Sequence, residues 1–131
     1  NKIKTENKII VDNNSKNLLQ QTLAINFESN SSIIKNDSFI ELDKFVNTTK
    51  ILDNTIIQIE GNCSSDGSAE SNKILSFKRA QAVANYLVSK GIDKNRLIVI
   101  GNGETKPKGD NNTEEGKKIN RRTDVFFKVA K

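Results

Sequence analysis

The chain has 131 residues, 34% of them hydrophobic and 5% aromatic, and carries 21 Lys and Arg against 16 Asp and Glu for a net charge of +5. That length holds one domain around one aliphatic core, and no apolar run is long enough to cross a bilayer as a helix. With no histidine and a single cysteine, Cys63, the chain cannot activate a nucleophile by Ser–His or Cys–His pairing, ligate a metal through histidine, or close an internal disulfide.

Residues 1–17 are polar and rich in Asn and Lys, and they read as a tether or linker remnant with room for a short strand at residues 9–11. The domain proper is assigned to residues 18–131. Alternation of Leu23, Ile25 and Phe27 predicts a half-buried strand over 22–27. Ser38 and Glu41 have the spacing of a capping box, which starts a helix running to about Leu52 with Phe39, Leu42, Phe45 and Val46 on one face. The β-branched run 55–60, closed by Gly61, predicts a second strand. After a Ser- and Gly-rich loop, residues 72–90 predict the longest helix. Its apolar stripe is Leu75, Ala80, Val83, Leu87 and Val88, and Gly91 sits where a left-handed residue ends helices.

The apolar run 97–100 predicts a strand buried on both faces. Residues 101–112 form a long loop with the only proline, Pro107. A short helix over 113–120 and a last strand over 123–129 follow. This β-α-β-α-β-α-β order predicts an α/β two-layer sandwich, a mixed four-stranded sheet with helices on one face.

Two blocks carry a resemblance. The first is Asn72-x-x-Leu75-Ser76-x-x-Arg79-Ala80, with Val83 and Tyr86-Leu87 after it. The second is Gly91-Ile92, Arg96-Leu97, Gly101-x-Gly103-Glu104, Pro107, Asn112-Thr113-Glu114-Glu115-Gly116 and Asn120-Arg121-Arg122. Together with Phe27-Glu28-Ser29-Asn30 and Ile34, they make about residues 22–128 similar to the OmpA-like family. That family includes the peptidoglycan-binding ends of outer-membrane and flagellar-motor stator proteins. The resemblance implies a non-enzymatic module that binds the diaminopimelate of a peptidoglycan stem peptide and anchors an exported envelope protein to the wall. It also implies no cofactor and no membrane insertion by this segment, with an upstream domain in the full-length protein left open.

Residue roles follow from the same resemblance. Arg79 would take a carboxylate of diaminopimelate, with Asn72, Asn30 and Arg121 as neighbouring polar contacts. The family's loop pattern Gly-His-Thr-Asp-x-x-Gly stands here as Gly61-Asn62-Cys63-Ser64-Ser65-Asp66-Gly67, so Ser64 occupies the place of the Asp that takes the ammonium. Asp66, two residues on, can supply the anion if it turns inward; otherwise only the Ser64 hydroxyl is left, without charge. From the residues themselves, loops leaving the first two strands meet at one rim if those strands are neighbours. That rim lies beside a helix start, whose free N–H groups favour an anion.

Plainer readings stand beside these. Asn72 suits a helix cap, Asn30 a left-handed turn residue, Asp66-Gly67 a turn, and Arg121 with Arg122 a brace for the last strand. Arg79 also fits an ion pair with Glu60 or Glu70. Cys63 reads as a small residue tucked behind a strand. The basic surplus suits an anionic partner of any kind. Nucleic-acid binding, however, calls for a basic stripe interleaved with stacking aromatics, and the chain has one Tyr and no Trp. The alternative that keeps the fold is an accessory or protein-interaction domain, attached to an envelope solute-binding protein, in which Ser64 marks the loss of diaminopimelate binding.

Overall fold

A computed structural model of the protein describes residues 21–128. The tether at 1–17, its short strand and the boundary at residue 18 lie outside the described residues. The elements are β1 (Thr22–Asn26), α1 (Phe39–Ile51), β2 (Ile56–Gly61), α2 (Ala69–Ser89), β3 (Leu97–Gly101), α3 (Glu114–Asn120) and β4 (Arg122–Lys128), with 3-10 turns at Asn36–Ser38 and Lys94–Arg96. The strands form one sheet in the order β1-β4-β2-β3. β4 runs antiparallel to β1 and β2, while β2 and β3 are parallel. This is the mixed α/β sheet that the element order predicts.

Period-two alternation sets which strand residues face the helices. Ile25, Ile57, Ile59, Val125 and Phe127 turn inward and are buried with Leu42, Phe45 and Val46 of α1 and Val83 and Leu87 of α2. The rings of Phe45 and Phe127 stack with centroids 5.1 Å apart, joining α1 to β4. Arg96 ties off the far end of α1. Its Nε donates to the Thr55 carbonyl at 2.9 Å and one amino group donates to the Leu52 carbonyl at 2.8 Å, satisfying acceptors that a helix end leaves free.

The long helix lies unusually close to the sheet where Gly61 and Gly101 pair across β2 and β3. A Cβ on Gly61 would stand 1.7 Å from the Ser76 carbonyl oxygen, and one on Gly101 would stand 2.8 Å from the Phe77 backbone nitrogen. These two glycines therefore let α2 rest directly on the carboxyl ends of two strands, beside the loops that leave them.

Four local expectations are corrected. Ser38 is already helical, at φ −83° and ψ −18°, and makes no side-chain cap; the capping box is replaced by the 3-10 turn before it. α2 begins at Ala69 rather than residue 72, because the Ser68 hydroxyl oxygen accepts from the Ser71 N–H at 3.0 Å and caps it one turn earlier. β3 is only half-buried, since it lies at the sheet edge instead of between strands. On α2, Ala80, Val83 and Leu87 are core residues, but Leu75 is half-buried and Val88 is 43% exposed. The helix turns Leu75 toward a surface cleft instead of the sheet.

Candidate functional site

The carboxyl ends of β1 and β2 lie on either side of the start of β4, with Asn26 opposite Arg122 and Gly61 opposite Thr123. The loops that leave them therefore gather at one rim, where α2 also begins. A cleft of about 570 Å³ opens there. Ser71, Ile74, Leu75 and Lys78 line it from α2; spaced i, i+3, i+4 and i+7, they make one helix face. Ser29, Asn30, Asp66 and Gly67 supply the loop walls, and Asn72 completes the lining.

Asp66 is the one carboxylate on this cleft among the described residues. One of its oxygens lies 3.2 Å from the Lys117 ammonium, and the other accepts from the Ser64 hydroxyl at 3.4 Å. The loop is fixed further by the Ser65 N–H, which donates to Asn111 at 3.2 Å. Ser64 is itself buried behind Asp66 and does not line the cleft. The two candidates are thus stacked, with Asp66 in front and Ser64 supporting it. Asn30 adopts the left-handed conformation at φ 57° while lining the cleft, so the turn role and the wall role coincide. Sequence reasoning missed Lys117 and Asn111, because both reach the loop from residues about fifty positions away. The stripe of Ser71, Ile74 and Lys78 was available from helical spacing alone.

Asn72 is 5% exposed and is not a cap, since α2 starts three residues before it. Its amide donates to Glu104 at 2.7 Å, linking the helix to the loop after β3. Ser76, one turn on, accepts from the Gly103 N–H at 2.8 Å. The Ser76, Arg79 and Ala80 positions of the first motif block therefore face inward, while Asn72 sits at the border between that face and the cleft. The cleft-lining stripe is a different face of the same helix.

Arg79 is fully buried, with 0% of its surface exposed, and does not line the cleft. It neither lies on the helix surface nor pairs with Glu60 or Glu70. Its Nε donates to the Ser31 carbonyl at 2.8 Å, and its two amino groups donate to the carbonyls of Asn62 at 3.0 Å and Glu28 at 2.9 Å. The Phe27 ring lies 5.3 Å from the guanidinium carbon. Burial pulls its pKa down; the Cys63 sulfur opposes this and the nearby Arg121 reinforces it. In this arrangement Arg79 ties the loops after β1 and β2 together from beneath. Cys63 is buried beside it, its thiol pKa raised by burial, with a partial offset from Arg79 and a further push from Glu104.

Arg121 is 8% exposed and belongs to a second cleft of about 470 Å³, to which Phe27 and Glu28 contribute as Ser29 and Asn30 do to the first. The adjacent Arg122 is a brace. Its Nε donates to both oxygens of Asp124, at 3.1 and 3.2 Å, and an amino group holds the Lys106 carbonyl at 3.0 Å. Asn120 pins the same loop, accepting from the Lys108 and Gly109 N–H groups at 2.8 Å each. Glu60 is buried under this loop. Burial raises its pKa, but hydrogen bonds from Asn102, Gln58 and Lys106, with the Lys106 charge, outweigh that and leave it below the usual carboxylate value.

The chain is similar to known proteins across most of its length. Outer membrane protein A of Bordetella avium is 46% identical over 71 residues, covering 54% of this chain and 36% of that protein. The peptidoglycan-binding protein ArfA of Mycobacterium bovis is 36% identical over 69 residues, covering 53% of this chain and 21% of that one. The chain thus spans about a third or less of the length of these curated relatives. The crystal structure of the peptidoglycan-associated lipoprotein from Burkholderia pseudomallei superimposes with a TM-score of 0.77 at 26% identity, covering 80% of this chain and 89% of that one. The model of the OmpA family matches residues 26–121, across both clefts and all of the motif residues except Arg122, and the chain belongs to the OmpA family.

Proposed function

We propose that this domain holds peptidoglycan non-covalently through the diaminopimelate of a stem peptide, and so anchors an exported envelope protein to the cell wall. One observation carries the ligand assignment: among the described residues Asp66 is the single carboxylate on the rim cleft, held facing it by the Ser64 hydroxyl and Lys117. The free ammonium of diaminopimelate is the complementary group, and a charge-assisted hydrogen bond to a fixed carboxylate is about twice as strong as a neutral one. Asn30, Asn72 and Ser71 offer polar contacts around it, while Leu75 and Ile74 offer apolar surface to the methylene chain. Arg79 acts from beneath, keeping the Glu28 and Ser31 carbonyls in place so that the wall bearing Asn30 stands. Membership of a family with wall-binding relatives supports the anchoring role. The work done is binding, with no bond made or broken.

Co-sedimentation with purified sacculi tests this. Asp66 is more than half exposed, so Asp66→Asn removes the charge at little cost to folding. The variant is expected to remain in the supernatant while the parent pellets. Pelleting of the variant as completely as the parent refutes the ammonium assignment. The saturation of Arg79 by three backbone carbonyls favours a second reading, an accessory or protein-interaction domain without wall affinity. In that case the parent itself stays in the supernatant.

A further inference from the structure

The rim cleft carries one cation that the binding scheme above leaves unassigned. Lys78 lines it from α2, and among the described residues it is the only basic side chain that does. It is exposed, and among the described residues no carboxylate lies within ion-pair distance of it. Asp66, the acid of the cleft, is held by Lys117 instead. The lining therefore presents one negative group and one free positive group, a pattern that suits a zwitterion better than a simple cation.

Helix geometry brings the two groups within reach of one ligand atom cluster. The loop bearing Asp66 abuts the first turn of α2, since a Cβ on Gly67 would lie 3.4 Å from the Ser71 hydroxyl oxygen and 3.5 Å from the Asn72 amide oxygen. Lys78 stands two turns further on, about 10 Å along the axis from Ser71. A helical side chain leans toward the N-terminus of its helix, so one as long as Lys78 covers the turn of Ile74 and Leu75 and brings its ammonium toward the Asp66 end of the cleft. The distal carbon of diaminopimelate, the one outside the peptide backbone, bears an ammonium and a carboxylate together and fits between them.

Arg79 does not fill this place in the observed arrangement. It is 0% exposed and absent from the cleft lining, and all three of its nitrogens donate to backbone carbonyls that hold the rim loops. Turning it toward a ligand strands those acceptors, whereas Lys78 has no bond to give up. We propose that Lys78 receives the distal carboxylate of diaminopimelate and so makes the domain selective for stem peptides in which that carboxyl is free over those in which it is amidated. This rests on the assignment of the ammonium to Asp66. An amide carries no charge, so it forfeits the ion pair while keeping the size and shape of the acid.

The test is calorimetry with two synthetic stem tripeptides, identical except that the distal carboxyl of diaminopimelate is free in one and amidated in the other. The protein is expected to prefer the acid by about threefold, the scale of an ion pair between exposed groups. Lys78→Gln is expected to bring the ratio near one with the thermal transition unchanged, because the side chain is exposed and unpaired. Lys78→Arg is expected to keep the preference and Lys78→Glu to reverse it in favour of the amide. Lys73→Gln, at an exposed lysine of the same helix outside the cleft lining, controls for general surface charge and should leave the ratio at the parent's value. Equal binding of the two peptides by the parent, or a preference that survives in Lys78→Gln, overturns the role of Lys78 while leaving Asp66 in place. Loss of the preference in Lys73→Gln as well overturns it too, since surface charge then accounts for the effect. Failure of the parent to bind either tripeptide refutes the stem-peptide reading, and the role of Lys78 with it.

Discussion

The hydroxyl of Ser64 donates to the carboxylate of Asp66 at 3.4 Å, so the residue standing in the family's Asp position supports an acid two places further along the same loop. The negative charge stands on the wall of the cleft and not at the buried Ser64, and Lys117 holds the other Asp66 oxygen. On the proposed assignment, an incoming ammonium would meet an acid that is already oriented.

On the proposed assignment, in which Asp66 supplies the anion, Ser64→Asp is expected not to improve binding of free meso-diaminopimelate and to weaken it by crowding two carboxylates. The new acid also loses solvation at a site only 6% exposed. Asp66→Asn is expected to lose at least tenfold, consistent with about 1.5–3 kcal/mol for a charge-assisted bond. Titration of the three proteins by calorimetry checks both. A gain of tenfold in Ser64→Asp contradicts the assignment of the ammonium to Asp66.

Arg79→Ala is expected to lower stability by at least about 2 kcal/mol, because it strands three carbonyls and leaves a cavity under the rim. Arg79→Lys is expected to recover only part of this, since one ammonium cannot reproduce the geometry of a planar fork. Urea denaturation measures both. An unchanged transition in Arg79→Ala would mean that the guanidinium is not the tie between the two loops.

On α2, Leu87→Ala is expected to cost about 2–5 kcal/mol, as a large-to-small change in a well-packed core does. Leu75→Ala, on the cleft side of the helix, is expected to cost well under half as much and to show its effect in ligand affinity instead. Thermal melts and sacculus binding of the two variants should therefore rank in opposite orders.

Glu60 gives a pH dependence with a definite sign. Its folded pKa lies below the ordinary value of 4.5, so the folded state binds the proton less readily than the unfolded chain. The stability it contributes is full above about 4.5 and is lost as pH falls through the lower, folded value. In urea melts between neutral pH and pH 3, the stability advantage of the parent over Glu60→Gln should be constant near neutrality and shrink in the acid range. An advantage that grows on acidification contradicts the hydrogen-bonded carboxylate under the loop after β3.

Much of the fold was legible because it rests on periodicity. The alternation of Leu23, Ile25 and Phe27 and the β-branched run before Gly61 identify strands without any tertiary knowledge, since a sheet with one buried face demands period two. The stripe of Ala80, Val83 and Leu87 does the same for the long helix. The motif blocks also fall around the rim where the first cleft opens. What the sequence could not decide was direction. Asn72, Ser76 and Arg79 recur at helical spacing, and so do Ser71, Ile74, Leu75 and Lys78; nothing local says which face meets the sheet and which lines the cleft. That choice depends on Gly61 and Gly101 lying side by side on neighbouring strands, which draws α2 down onto the sheet, buries Arg79 and turns Leu75 outward. The anchoring of Asp66 by Lys117 was equally out of reach, because the two are joined only when α3 packs beside the loop after β2. Local preferences determine the elements of this protein. Contacts between distant residues determine which side chains of those elements face the cleft, because burial is a property of the assembled sheet and helices.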